Sequence, residues 1–176
     1  MADLTESVSG ESTDNFGLVW GIKRSFIAYL ARQPDASNMY GDGAEGLVDG
    51  RYFFTLGNDE EFDRRRLTGT LKFRGTIRLM AHRNRLVVTI SDPWIVFDGQ
   101  GKGTLSTSTR NNAEDEDTRH DLVHLTVSPT ESDAQAILWA GIRTSLAPGA
   151  TQVFNEVYPP HEDFDPLVIR IPRVSE

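Results

Sequence analysis

The chain has 176 residues and no cysteine. That absence removes disulfide staples, thiolate metal sites and a cysteine nucleophile together. The sequence also lacks any apolar run long enough to cross a bilayer as a helix, so no membrane insertion is expected. It carries no Asn-x-Ser/Thr acceptor for glycosylation. Basic residues are the minority, 18 Lys and Arg against 26 Asp and Glu, for a formal net charge of −8. Charge of that sign argues against nucleic acid or an anionic lipid surface as a partner. The one basic run, Arg64 to Arg66, follows the acidic stretch "DEEFD" and reads as a solvated loop of mixed charge. Enzyme templates are missing as well. No Gly-x-Ser-x-Gly elbow occurs, and "GKGT" at Gly101 to Thr104 has no upstream glycine of a phosphate loop. His120 and His124 are four apart on a predicted strand, too far separated to chelate one ion easily.

What is present fits one domain with a sizeable core. Residues 1–15 read as a disordered polar tail and 16–176 as a single folded unit. The opening "MADLTESVSGESTDNFG" has neither the basic start nor the apolar middle of a secretory signal, which gives a cytoplasmic expectation for the chain as it stands. Asp14 or Asn15 is placed to cap a first helix from about Leu18 to Arg32, ending before Pro34. Leu18, Val19, Ile22, Phe26 and Leu30 form its apolar stripe at 100° per residue.

After the turn "MYGDGAEG" the texture becomes that of strands: "RYFFTL", "LTGTLKFRGTIRLM", "RLVVTISD", "WIVFDG" and "GTLSTSTR". Leu71, Phe73, Ile77 and Leu79 alternate with polar residues, and "AHRNR" makes a hairpin with His82 at its tip. The polar "NNAEDEDTRHD" is expected to be a flexible loop. "LVHLTV", "AQAILWAGIRTSL" and "LVIRI" continue the strands, and "PGATQVFNEVY" supplies a second helix with Pro at its start. The predicted fold is mainly β, an antiparallel β-sandwich or open barrel with two short helices packed at its edge.

Ser25 and Tyr29 lie one helical turn apart, inside or beside the apolar stripe. Each has an ordinary explanation alone. Tyr29 serves as an amphipathic core residue, Ser25 bonds back to the carbonyl one turn earlier, and His82 is a polar turn residue. A joint explanation also exists. A tyrosine oxygen can hold ferric haem iron, and an imidazole can stabilise the phenolate that this requires.

"WGIKRSFIAYL" at Trp20 to Leu30 resembles the opening motif of the HtaA-type haem-binding domain of Gram-positive haem uptake. "GDGAEG", "FRGTIRLMAHRNRLVVTISDPWIVFDG" and "LWAGIRTSLAPGATQVFNEVYPPHEDFDPLVIRI" resemble its glycine turn, central hairpin and closing segment in the same order, across roughly residues 16 to 172. The resemblance implies ferric haem b as ligand, with Tyr29 as the axial iron ligand and His82 hydrogen-bonded to it. It places Ser25 toward a haem propionate and an aromatic of the second helix, Phe154 or Tyr158, over the porphyrin. Phe26, Ile22 and Phe154 are expected to bury the ring face. The family's Gly-His-x-Gly turn is Ala81-His82-Arg83-Asn84 here, and alanine suits a left-handed backbone poorly. A non-enzymatic role in haem transfer or storage follows, with a haem donor or acceptor protein as partner and a homodimer through the haem face or a strand edge. Family members are commonly exported or held at the cell surface, the alternative location. The alternative function is a haem-free interaction or apolar-ligand-binding module on the same fold.

Overall fold

A computed structural model of the chain describes residues 15–109 and 118–174. The expected N-terminal tail lies outside the described residues, as does most of the expected loop after Thr109. The remainder is built from β1 (Gly17–Trp20), helix α1 (Arg24–Ala31), β2 (Ser37–Gly41), β3 (Ala44–Gly46), β4 (Tyr52–Asn58), β5 (Phe62–Asp63) and β6 (Thr68–Arg74). There follow β7 (Thr76–Ala81), β8 (Leu86–Ser91), β9 (Trp94–Asp98), β10 (Lys102–Ser108), β11 (Arg119–Thr126), β12 (Glu131–Ser132) and β13 (Ala136–Leu146). A 3₁₀ helix (Pro148–Phe154) and β14 (Asp163–Pro172) complete the order.

The fold is mainly β and antiparallel, with two short helices, as the residue pattern predicts. Eight strands run in the order β4, β1, β14, β13, β11, β10, β9, β6, and the pairing of β6 with β4 closes them into a barrel. Closure removes the open edges that eight strands would otherwise expose. The interior is filled by alternate residues of each strand, among them Trp20, Phe54, Leu71, Ile95, Leu105 and Trp139, all essentially inaccessible to solvent. Phe97 and Trp139 stack at 5.3 Å between centroids, with Phe62 set edge-on to both.

A separate three-stranded sheet, β2-β7-β8, stands against the barrel. The alternation expected along "TLKFRGTIRLM" holds, because Leu71, Phe73, Ile77, Leu79 and Ala81 are all buried. The stretch is nevertheless two strands in two sheets, divided at Gly75, whose φ is +130°. A Cβ there would sit 2.3 Å from the amide nitrogen of Ala44, so only glycine fits the corner. Asp92 closes it from the facing strand end: its carboxylate accepts the Gly75 N–H at 3.0 Å and its own N–H donates to the Gly75 carbonyl at 2.7 Å.

The helix expected from Leu18 is corrected in its first half. Gly17–Trp20 is a barrel strand paired with β4 and β14, and the helix starts only at Arg24. Asn15 does not cap it, and Asp14 lies outside the described residues. Lys23 occupies the cap position without a side-chain capping bond, and the Arg24 N–H donates instead to the Asp165 carboxylate of β14 at 3.1 Å. That carboxylate also faces the positive end of the helix dipole. Asp165 binds three further groups through its backbone: its N–H donates to the Ile22 carbonyl, and its carbonyl accepts Trp20 Nε1–H and Thr144 Oγ1–H. Between strand and helix, Ile22 takes φ +62°, costly for a β-branched residue, while its side chain is fully buried. The second expected helix is a 3₁₀ segment with Pro at its start, ended by left-handed Asn155 and Glu156. We expect Gly75→Ala to destabilise the protein by about 1–3 kcal/mol, measured as a lower urea midpoint with an unchanged denaturant slope.

Candidate functional site

Eight residues of helix are too few to persist alone, so α1 owes its position to docking. Phe26 and Leu30 supply the docked face, and burying each contributes roughly 1.5–3 kcal/mol. With that face fixed, Ser25 and Tyr29 come to the adjoining flank, both exposed. Tyr29 retains 39% of its accessible surface.

The β7–β8 hairpin brings His82 to the same flank. Ala81 pairs with Leu86, leaving a four-residue turn in which His82, Arg83 and Asn84 have φ of 55°, 56° and 66°. Three successive left-handed residues without a glycine are unusual, since each costs about 1–2 kcal/mol relative to a right-handed one. Ala81 itself lies in the strand, so the residue expected to strain the turn is spared. The turn aims the imidazole at the helix, and Tyr29 Oη lies 2.5 Å from His82 Nε2. With a neutral imidazole the phenol donates to that nitrogen. The fold thus brings together two side chains that lie 53 positions apart in the sequence.

A cleft of about 350 Å³ opens beside this pair. Ser25, Phe26 and Tyr29 line it from the helix, His82 and Leu86 from the hairpin, and Asn155, Val157 and Tyr158 from the segment after the 3₁₀ helix. Its surface is mostly apolar, and its volume lies within the range of small-molecule sites. Ser25 Oγ makes no side-chain hydrogen bond to another described residue, so the bond back to the preceding turn is not formed. Tyr158 lines the cleft, whereas Phe154 is fully buried behind it. Phe154 meets Phe26 at 5.4 Å and Phe164 at 5.0 Å, both edge-on, and so props the wall without forming its surface. Ile22 is equally buried and does not reach the opening. Tyr158 is held by Phe26 and Phe164 and by Lys23 Nζ 5.3 Å from its ring centre. Asn155 Nδ2 donates to the Arg85 carbonyl at 3.4 Å, tying this segment to the hairpin.

Sequence reasoning did not find Leu86, Asn155 or Val157. Leu86 has the pattern of any strand residue, and the other two follow a 3₁₀ turn whose exit direction no periodicity encodes. Among the described residues no three His, Asp or Glu side chains converge into a chelating group. A metal in this cleft would have to bring most of its ligands with it.

The structure thus defines a small antiparallel barrel bearing a helix-and-hairpin cleft, with a paired phenol and imidazole, Tyr29 and His82, on its wall. The family model HtaA matches residues 15–170, and the chain belongs to the HtaA family. It is similar to the crystal structure of the C-terminal domain of HtaA from Corynebacterium glutamicum at 22% identity, TM-score 0.72, over 90% of this chain and 97% of that one. The N-terminal domain of the same protein gives 22% identity and TM-score 0.70, over 92% and 98%. The heme binding protein HtaB from Corynebacterium glutamicum gives 17% identity and TM-score 0.60, over 89% and 91%. At these identities the likeness concerns the fold. No curated protein sequence matches the chain. Because Arg83 is exposed and left-handed, Arg83→Gly is expected to raise stability by up to about 1 kcal/mol, seen as a higher urea midpoint.

Proposed function

We propose that this chain binds one haem in the cleft and passes it on or stores it, rather than transforming a substrate. The observation that carries the reading is the Tyr29 Oη to His82 Nε2 contact of 2.5 Å on the wall of an apolar cleft that has no chelating cluster among the described residues. A phenol oxygen with a proton acceptor already against it suits a metal already held by a macrocycle. Membership of the HtaA family and the fold shared with a heme binding protein support the same reading.

Bound haem supplies a ferric iron that favours an anionic oxygen ligand. Tyr29 provides that oxygen once its proton leaves, and His82 Nε2 is positioned to take or share the proton. The imidazole then hydrogen-bonds to the phenolate and keeps its orientation. Phe26, Leu86, Val157 and Tyr158 offer apolar surface to the flat ring, and the free hydroxyl of Ser25 offers a donor to a propionate. A single protein ligand in an open cleft favours release to a second protein over reactivity at iron. The donor or acceptor protein and the ferric haem b state belong to the same proposal.

The test is haemin titration followed by the visible spectrum. The unaltered chain is expected to give a saturable Soret band with a tyrosinate charge-transfer feature. Tyr29→Phe should abolish that feature, and His82→Ala should weaken binding about 10–100-fold, less than Tyr29→Phe. Undiminished binding by Tyr29→Phe would refute the ligand assignment. No titration by the unaltered chain would leave a haem-free interaction module as the function.

A further inference from the structure

The Tyr29–His82 contact joins helix α1 to the β7–β8 hairpin. A second link between the same elements lies six residues after Tyr29. Asp35 follows helix α1 through a short turn in which the Gln33 N–H donates to the Leu30 carbonyl. The Gln33 side chain donates to the carbonyl of Tyr29 itself at 3.1 Å. From this turn the Asp35 carboxylate reaches the hairpin, where one oxygen accepts the His82 N–H at 3.1 Å and the other accepts the Arg83 N–H at 2.6 Å. The register explains the meeting. Ser37 pairs with Met80 in the β2–β7 ladder, so two residues further out Asp35 stands opposite His82.

We infer that Asp35 is a positioning residue for the site, a carboxylate clamp that holds the left-handed turn and thereby sets His82 against the Tyr29 phenol. The inference rests on the proposed haem-binding reading for its consequence, though not for its geometry. Hydrogen bonds accepted by a carboxylate are roughly twice as strong as neutral ones. Two of them fall on the first two residues of a turn whose backbone is unfavourable without support. The Asp35 carboxyl is accordingly held below the usual carboxylate range, first by the Arg83 N–H and then by the His82 N–H. Its side chain does not line the cleft beside Tyr29, so it acts through the turn and not on the ligand.

The decisive readout needs no haem. In the ligand-free chain, amide hydrogen exchange at His82 and Arg83 is expected to speed up roughly tenfold or more in Asp35→Ala, with the barrel amides unchanged. Asp35→Asn, which keeps an accepting oxygen at only one of the two carboxylate positions, should fall between. Unchanged exchange at both amides in Asp35→Ala would overturn the clamp. In haemin titration Asp35→Ala should lose about tenfold in affinity, yet lose less than about twofold further in a His82→Ala background. Equal losses in the two backgrounds would also overturn it, because Asp35 would then act independently of His82. If the unaltered chain takes no haemin, the haem reading falls while the exchange comparison still decides the clamp.

Discussion

Everything at the cleft depends on an eight-residue helix being held at one rotation and one depth against the barrel. Isolated, that helix would unwind. Two forces prevent it: burial of Phe26 and Leu30, and the multiple anchorage supplied by Asp165. The burial is generic and would tolerate some rolling. Asp165 is specific, because one residue of β14 satisfies the first helical N–H, the carbonyl of Ile22, the indole of Trp20 and the hydroxyl of Thr144. Direct antiparallel pairing places β14 beside β1, and that pairing is what brings Asp165 to the helix start. With no cysteine available, hydrogen bonds and shape carry the whole task of fixing the functional elements.

The hairpin is secured differently. Its strands are held by the β2-β7-β8 ladder, and Gly75 turns the chain from the barrel into that ladder. Its tip pays for pointing His82 at the helix with an unfavourable backbone, which is the usual place to find strain that geometry demands. Helix and hairpin are thus indexed to different sheets. The Tyr29–His82 pair and the Asp35 contacts bridge that division.

The strands were readable because residues such as Leu71, Phe73, Ile77 and Leu79 alternate cleanly with polar neighbours. The first helix begins later than its residue spacing predicts for a physical reason. Leu18, Ile22, Phe26 and Leu30 are spaced by four, which suits one helical face and equally one face of a strand. Trp20, fully buried midway between Leu18 and Ile22, carries the period of two and marks the strand. At the second helix, Pro148 correctly signalled a helical start, but nothing in "PGATQVF" separates an α turn from a 3₁₀ turn. The Tyr29–His82 pairing came from resemblance to a family, since no local pattern relates positions 53 apart. Asp35 was illegible because its partner depends on the register of a ladder, and the alternation of side chains alone does not fix which residues stand opposite.

The connection from β1 to α1 is only Gly21, Ile22 and Lys23. Such a short, fully anchored joint works like a keyed coupling, transmitting the phase of the strand directly into the phase of the helix. Each added or deleted residue in the helix before Tyr29 would turn the phenol by about 100° around the axis, away from both the hairpin and the cleft. Length variation among natural relatives should therefore be barred from this joint and tolerated instead where neither sheet nor helix takes its bearings.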